Sequence, residues 1–313
     1  MKTIIYTLII ILNLNSLFAQ SEKIPLEKRK GHLYSEWKLN NTITAKIFLE
    51  SGFPIIIFNE QFLQKHLNEL ALKLEIPSED EFVSTWNNAK KTKIKYHIND
   101  TLIINRLPQI INAVVIDFSE IPSWKDYDIV YPIADLKGII EINIKEKYMR
   151  ILDTLNYIKN FNVYKMKIDE NTKGLYLNTE LSVYDTLGGK EMIKGDFLFD
   201  LGAGNAFMLN KNLKKVQVFV EKSDRMILKD TTRINTKGKK ELSIIIPDNI
   251  VLNNIRIQNS YVVAMKYNST KASDKYIGLI GTSFFKEFIT IFDYDNKKLY
   301  LKSNSKNIKI IKG

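Results

Sequence analysis

Two acidic residues in this sequence close apolar runs immediately ahead of an x-Gly pair. Glu50 ends Ile47-Phe48-Leu49 and is followed by Ser51-Gly52; Asp200 ends Phe197-Leu198-Phe199 and is followed by Leu201-Gly202. A carboxylate beside an apolar run is costly to bury unless it is paired or hydrogen-bonded. Glycine permits the tight turn and the close backbone approach that such a pairing needs. Two carboxyl groups brought into contact cannot both ionise readily, so they share a proton. One can then act as base on a water while the other donates a proton to an amide carbonyl. Peptide-bond hydrolysis by Glu50 and Asp200 is the chemistry this spacing suggests, with Ser51, Gly52, Leu201 and Gly202 supporting the two acid loops. The scheme needs no metal and no cofactor.

Other chemistries find little footing. The chain has no cysteine, which excludes a disulfide framework, a thiol nucleophile and a thiolate metal site. His32, His66 and His97 show no metal-ligand spacing and read as surface or packing residues. No nucleophile elbow, Walker A loop or dinucleotide fingerprint is present. Asp185-Thr186-Leu187-Gly188 lacks an apolar strand running into it and reads as a hairpin turn.

The elements that must carry the two acids repeat along the chain. Four anchors align the halves: Leu33-Tyr34 with Leu175-Tyr176, Phe48–Gly52 with Leu198–Gly202, Leu102–Asn105 plus Val114-Val115 with Ile250–Asn253 plus Val262-Val263, and Gly138-Ile139-Ile140 with Gly278-Leu279-Ile280. Asp153 and Asp293 follow the last anchor at equal spacing, each opening a D-x-x-N turn. Each half is expected to begin with short strands, near Leu33–Leu39 and Gly174–Tyr184, and then to run an apolar strand into its acid loop. A short helix follows, over Asn59–Leu70 or Asn210–Lys214, then a hairpin with Asn99-Asp100 or Lys237-Gly238 at its turn. The closing strands fall near Met149–Leu152 and within Phe288–Leu301.

This pattern resembles the retropepsin-like and pepsin-like aspartic peptidases, most closely in the second half. There Phe197-Leu-Phe-Asp200-Leu-Gly202-Ala203 and Tyr276-Ile-Gly278-Leu-Ile-Gly281-Thr-Ser-Phe-Phe285 are similar to the family's acid loop and its ψ-loop with short helix. The resemblance implies an all-β, two-lobed acid-protease fold, each lobe a closed β-barrel-like retropepsin unit with short helices. It implies ψ-loop glycines at Gly138 and Gly278, and a flap presenting an aromatic residue, for which Tyr96 is the candidate and Trp86 a second. Lobes are expected over 20–158 and 168–313, joined by 159–167. Three positions depart from the family: Glu50 stands where it has aspartate, Leu201 where it has a clamping hydroxyl, and Phe53-Pro54 where it has a small residue and a hydroxyl. Those departures leave a second reading open, a pseudopeptidase that binds a peptide or protein in the inter-lobe cleft without cutting it. A structural or adhesive envelope protein is a third.

Composition bounds the setting. The chain has 313 residues, 45% hydrophobic and 26% charged, ordinary values for a globular protein. Lys2, the apolar run Ile4–Leu14 and Leu17-Phe18-Ala19 read as a cleavable signal peptide over 1–19. An exported monomer, periplasmic or extracellular, without a transmembrane span after cleavage, is expected. The net charge of +11 comes from scattered lysines without an aromatic-basic motif, so no nucleic-acid partner is expected.

Overall fold

The computed structural model describes residues 22–310, apart from 30, 52–53, 86–87, 137, 171–172, 185–186, 224–225, 230–232, 236–237, 241, 253–254, 258–259, 267–274 and 305–307. The chain is mostly β, as its alternating apolar segments imply. One sheet is built mainly from the first half, a larger one from the second, and a third takes strands from both.

The two halves pair their strands in the same way. In the first, His32–Leu39 lies antiparallel to Ile43–Glu50, which lies parallel to Ile129–Pro132. In the second, Leu175–Tyr184 lies antiparallel to Lys190–Asp200, which lies parallel to Gly278–Gly281. Tyr34 faces Phe48 as Tyr176 faces Leu198, so the first two anchors hold residue for residue. Beyond each acid loop a short strand, Ile56–Asn59 or Phe207–Asn210, ends on an asparagine. The Asn59 N–H donates to Asp128 O and the Asn210 N–H to Ile277 O, both at 2.9 Å. Their side-chain oxygens accept from Gln61 N–H at 3.3 Å and Asn212 N–H at 3.0 Å. Asn59 thereby caps the helix Glu60–Leu70. In the second half the helix starts later than expected, spanning Lys214–Lys222 after a turn at Asn210–Leu213.

The sheet shared by both halves orders its strands as Ile24–Pro25, Tyr148–Leu152, Ile139–Asn143, Phe288–Asp293, Lys298–Ser303 and Asn162–Lys165. Its middle pair, Ile139–Asn143 against Phe288–Asp293, joins the halves antiparallel. The stretch 159–167, expected as a link, contributes the Asn162–Lys165 strand to this sheet. Beneath all three sheets one apolar cluster runs through both halves, from Trp37 and Leu49 to Phe199 and Phe292.

Three expectations are corrected. Asn99-Asp100 is not a turn: both lie inside the Tyr96–Ile104 strand, and the hairpin turns at Asn105-Arg106, where both φ angles are positive (47° and 71°). Asp293 does open a turn, accepting from Asn296 N–H at 3.1 Å, but its counterpart is Asn143, which accepts from Glu146 N–H at 3.0 Å. Asp153 instead lies past the end of the Tyr148–Leu152 strand. Gly138 leads into the shared sheet, whereas the strand alongside Glu50 is Ile129–Pro132. The Lys237-Gly238 turn falls partly outside the described residues; Gly238 pairs with Asn235 in a two-strand hairpin.

Candidate active site

Glu50 and Asp200 are the last residues of their strands, and alternation sets which way they point. In Ile43–Glu50, Ile47 and Leu49 enter the main core while Phe48 packs into a separate cluster on the opposite face. Glu50 follows by period two on the Phe48 face. In Lys190–Asp200, Phe197 and Phe199 enter the core, Leu198 packs opposite, and Asp200 shares the Leu198 side. Glu50 lies in register with Pro132, and Asp200 with Gly281.

The two acids meet. A side-chain hydrogen bond joins the carboxyl groups of Glu50 and Asp200. Carboxylates only accept, so this bond requires one shared proton. The Gly202 N–H donates to Asp200 Oδ1 at 2.8 Å, and the Ala203 backbone also hydrogen-bonds the Asp200 carboxyl. Both acids keep part of their surface in reach of solvent, yet protein atoms crowd Asp200 on all remaining sides. That burial raises the Asp200 carboxyl above the usual aspartate range, outweighing the hydrogen bonds with Glu50, Gly202 and Ala203, which pull it down. A Cβ at position 202 would lie 2.5 Å from Glu50 Oε2 and 3.0 Å from Asp200 Oδ1. Gly202 is therefore the floor on which both carboxyl groups rest.

A clamp crosses the halves in one direction. The Ser51 hydroxyl, 2% exposed, donates to Phe199 O at 3.0 Å and accepts from Leu201 N–H at 2.9 Å. Leu201 is fully buried in the apolar core and returns no hydroxyl bond. Gly52 and Phe53 lie outside the described residues, and Pro54 is exposed. A second crossing involves Gly31, whose φ is +90° and whose Cβ, if present, would lie 2.9 Å from Gly204 Cα. The Thr282 hydroxyl donates to Gly31 O at 2.9 Å, and the Ser283 hydroxyl donates to Gly204 O at 2.6 Å.

The remaining expected site residues scatter. Gly278 pairs with Phe197 behind the acid loop, and a Cβ there would lie 2.2 Å from Met208 O. Gly138 does not flank Glu50. Tyr96 opens an interior strand opposite Val115 and is half-buried against the main core. The hairpin that covers the Phe48 face is Phe82–Thr85 with Asn88–Lys93, whose neighbourhood supplies Val83 and Ile94 to that cluster. Trp86 lies outside the described residues. His97 Nε2 lies 3.2 Å from Glu81 Oε1 and His66 Nδ1 lies 3.5 Å from Glu69 Oε1, both half-buried. Among the described residues no three metal-binding side chains cluster. Two open surface cavities, of about 770 and 810 Å³, are lined by neither acid.

No protein-family model matches this sequence, and no curated protein matches it.

Two site features escape a reading by motif. The strand beside Glu50 ends in Pro132 where its counterpart ends in Gly281, so it lacks glycine punctuation. His32 stands on the strand next to Glu50, and only the pairing register shows it.

Proposed function

We propose that this chain is an exported, aspartic-peptidase-like hydrolase with a two-lobed acid-protease arrangement, in which Glu50 and Asp200 form a mixed carboxyl pair. The supporting observation is the carboxyl–carboxyl hydrogen bond at the crossing of two similarly paired halves. In this reading Asp200, raised by burial, carries the shared proton, and Glu50 is the base. Glu50 takes a proton from a water as its oxygen attacks the peptide carbonyl, and Asp200 gives its proton to the carbonyl oxygen. Collapse of the tetrahedral species returns a proton to the leaving amine. The Gly202 and Ala203 amides fix Asp200, and Ser51 fixes the loop that carries it. The substrate is a peptide held across the two acid loops, and the working protein is a monomer that has lost residues 1–19 on export.

The test is turnover of peptide libraries by the purified mature protein from acid to neutral pH. Asp200→Asn is expected to lower cleavage by about a hundredfold or more, the usual contribution of a general acid or base. No cleavage by the wild type anywhere in that range overturns the proposal. One observation favours a binding module instead: Leu201 is sealed in the core where a second clamping hydroxyl would stand. A binding module would hold peptides with an affinity that Asp200→Asn leaves unchanged.

A further inference from the structure

His32 has a place beside Glu50 that no motif marks. The antiparallel register of His32–Leu39 with Ile43–Glu50 pairs Leu33 with Leu49 and Tyr34 with Phe48. Continued by one residue, it sets His32 opposite Glu50. Directly opposed residues project from the same face, with Cβ atoms about 5 Å apart. The His32 ring confirms that face, meeting Phe48 edge-on with centroids 5.0 Å apart. In the second half the register Tyr176 to Leu198 runs on to Gly174 opposite Asp200, where there is no side chain. One acid of the pair thus has an imidazole neighbour and the other has none.

The charges around His32 come from three directions. Its own sheet supplies Glu50 on one side and, on the other, Arg29, its register partner in the Glu27–Arg29 strand. The Arg29 guanidinium is drawn away, 4.4 Å over the Tyr34 ring with Nη2 3.4 Å from Glu27 Oε2. The second half brings Asp200, through its bond to Glu50, and the neutral Gly204 backbone against Gly31. The acid pair is therefore the negative charge that this register places on the His32 face from the neighbouring strand.

We propose that His32 is a third ionisable member of this site, a positioning residue that, when protonated, holds the negative charge of the pair on Glu50 and leaves the proton with Asp200. The Glu50 carboxylate and the imidazolium stabilise each other, so each favours the other's charged form. This deepens the functional reading above and rests on it for the catalytic roles, but the coupling itself can be measured without turnover.

The chain has three histidines, so ring ¹⁵N–¹H spectra can follow His32, His66 and His97 separately. Glu50→Gln is expected to lower the His32 midpoint by about half a pH unit or more, a roughly threefold fall in proton affinity, as loss of an adjacent opposite charge does. His66 and His97 should not move. An unchanged His32 midpoint in folded Glu50→Gln overturns the proposal. Should that variant not fold, the wild-type titration decides: the His32 shift must show a second inflection in the carboxyl range, and its absence overturns the proposal. If the protein cleaves peptides, His32→Asn should move the acid limb of kcat/KM to higher pH with KM unchanged. Coupled titration without cleavage would sink the peptidase reading and leave this inference standing; cleavage without coupling would do the reverse.

Discussion

The two acid loops occupy equivalent places and are built differently. The Asp200 loop sits on an aromatic bed: the Phe199 ring lies 4.6 Å from Phe285, 6.1 Å from Phe284 and 6.3 Å from Phe292. Leu201 joins that bed from the other side of Asp200, fully buried. The Glu50 loop has the aliphatic Leu49 beneath it and the polar Ser51 after it, which spends its hydroxyl on the opposite loop. The second half therefore supplies an aromatic bed, while the first supplies a long side chain and the hydroxyl that bonds across to the opposite acid loop. The two halves share one pairing scheme, while the two acid loops at its crossing differ in their surroundings.

That contrast can be broken by mutation. Phe199→Ala should cost about 3–5 kcal/mol and exceed the cost of Leu49→Ala, because aromatic contacts are lost along with the transfer term. Equal losses in denaturant unfolding would erase the contrast. Gly202→Ala should slow any cleavage about a hundredfold while costing the fold less than Gly281→Ala, since its Cβ displaces side-chain carboxyl groups, Glu50 by about 1 Å and Asp200 by less. Gly281→Ala should unfold the chain, because its Cβ would meet Asn205 O at 2.3 Å and Ala203 O at 2.4 Å. Ser51→Ala should cost about 1–3 kcal/mol, the penalty for leaving Phe199 C=O and Leu201 N–H without a partner. A neutral Ser51→Ala would show that the clamp is idle.

The smallest effect is one of pH. Burial raises the Asp200 carboxyl, so the folded state holds a proton that the unfolded chain releases. Stability from this group is complete below the ordinary aspartate value and falls as pH rises through the raised one. Asp200→Asn should therefore be more stable than wild type at neutral pH, with the gain shrinking toward pH 4 and below. A gain that is constant with pH would show that Asp200 ionises freely.

Much of this arrangement could be read before any coordinates. The strands expected near Leu33–Leu39 and Gly174–Tyr184 are found over His32–Leu39 and Leu175–Tyr184, because apolar alternation leaves only one face for the core. The helix expected over Asn59–Leu70 is found over Glu60–Leu70, with Asn59 as its cap. The fourth anchor misled. Gly138 resembles Gly278 in spelling, but a positive φ of 105° at the mouth of the shared sheet explains it, and the true neighbour of Glu50 ends in proline. Asn99-Asp100 looked like a turn because both residues favour one, yet nine residues of pairing with Leu107–Ile116 overrode that local preference. His32 was passed over because its role depends on a cross-strand neighbour, which spacing along the chain does not reveal.

The shared sheet carries a consequence for how the two halves could associate. Its middle strands pair Glu141 with Ile291, each the equivalent of the other in its own hairpin. Two copies of the first half alone, associating through that edge, would set Glu141 against Glu141. This residue is 1% exposed and already engaged by Tyr157 and Arg150. Like charges directly opposed in a sheet repel. Two copies of the second half would set isoleucine against isoleucine and meet no such barrier. A symmetric pair of separate subunits joined through this edge would thus be tolerated by one half and opposed by the other.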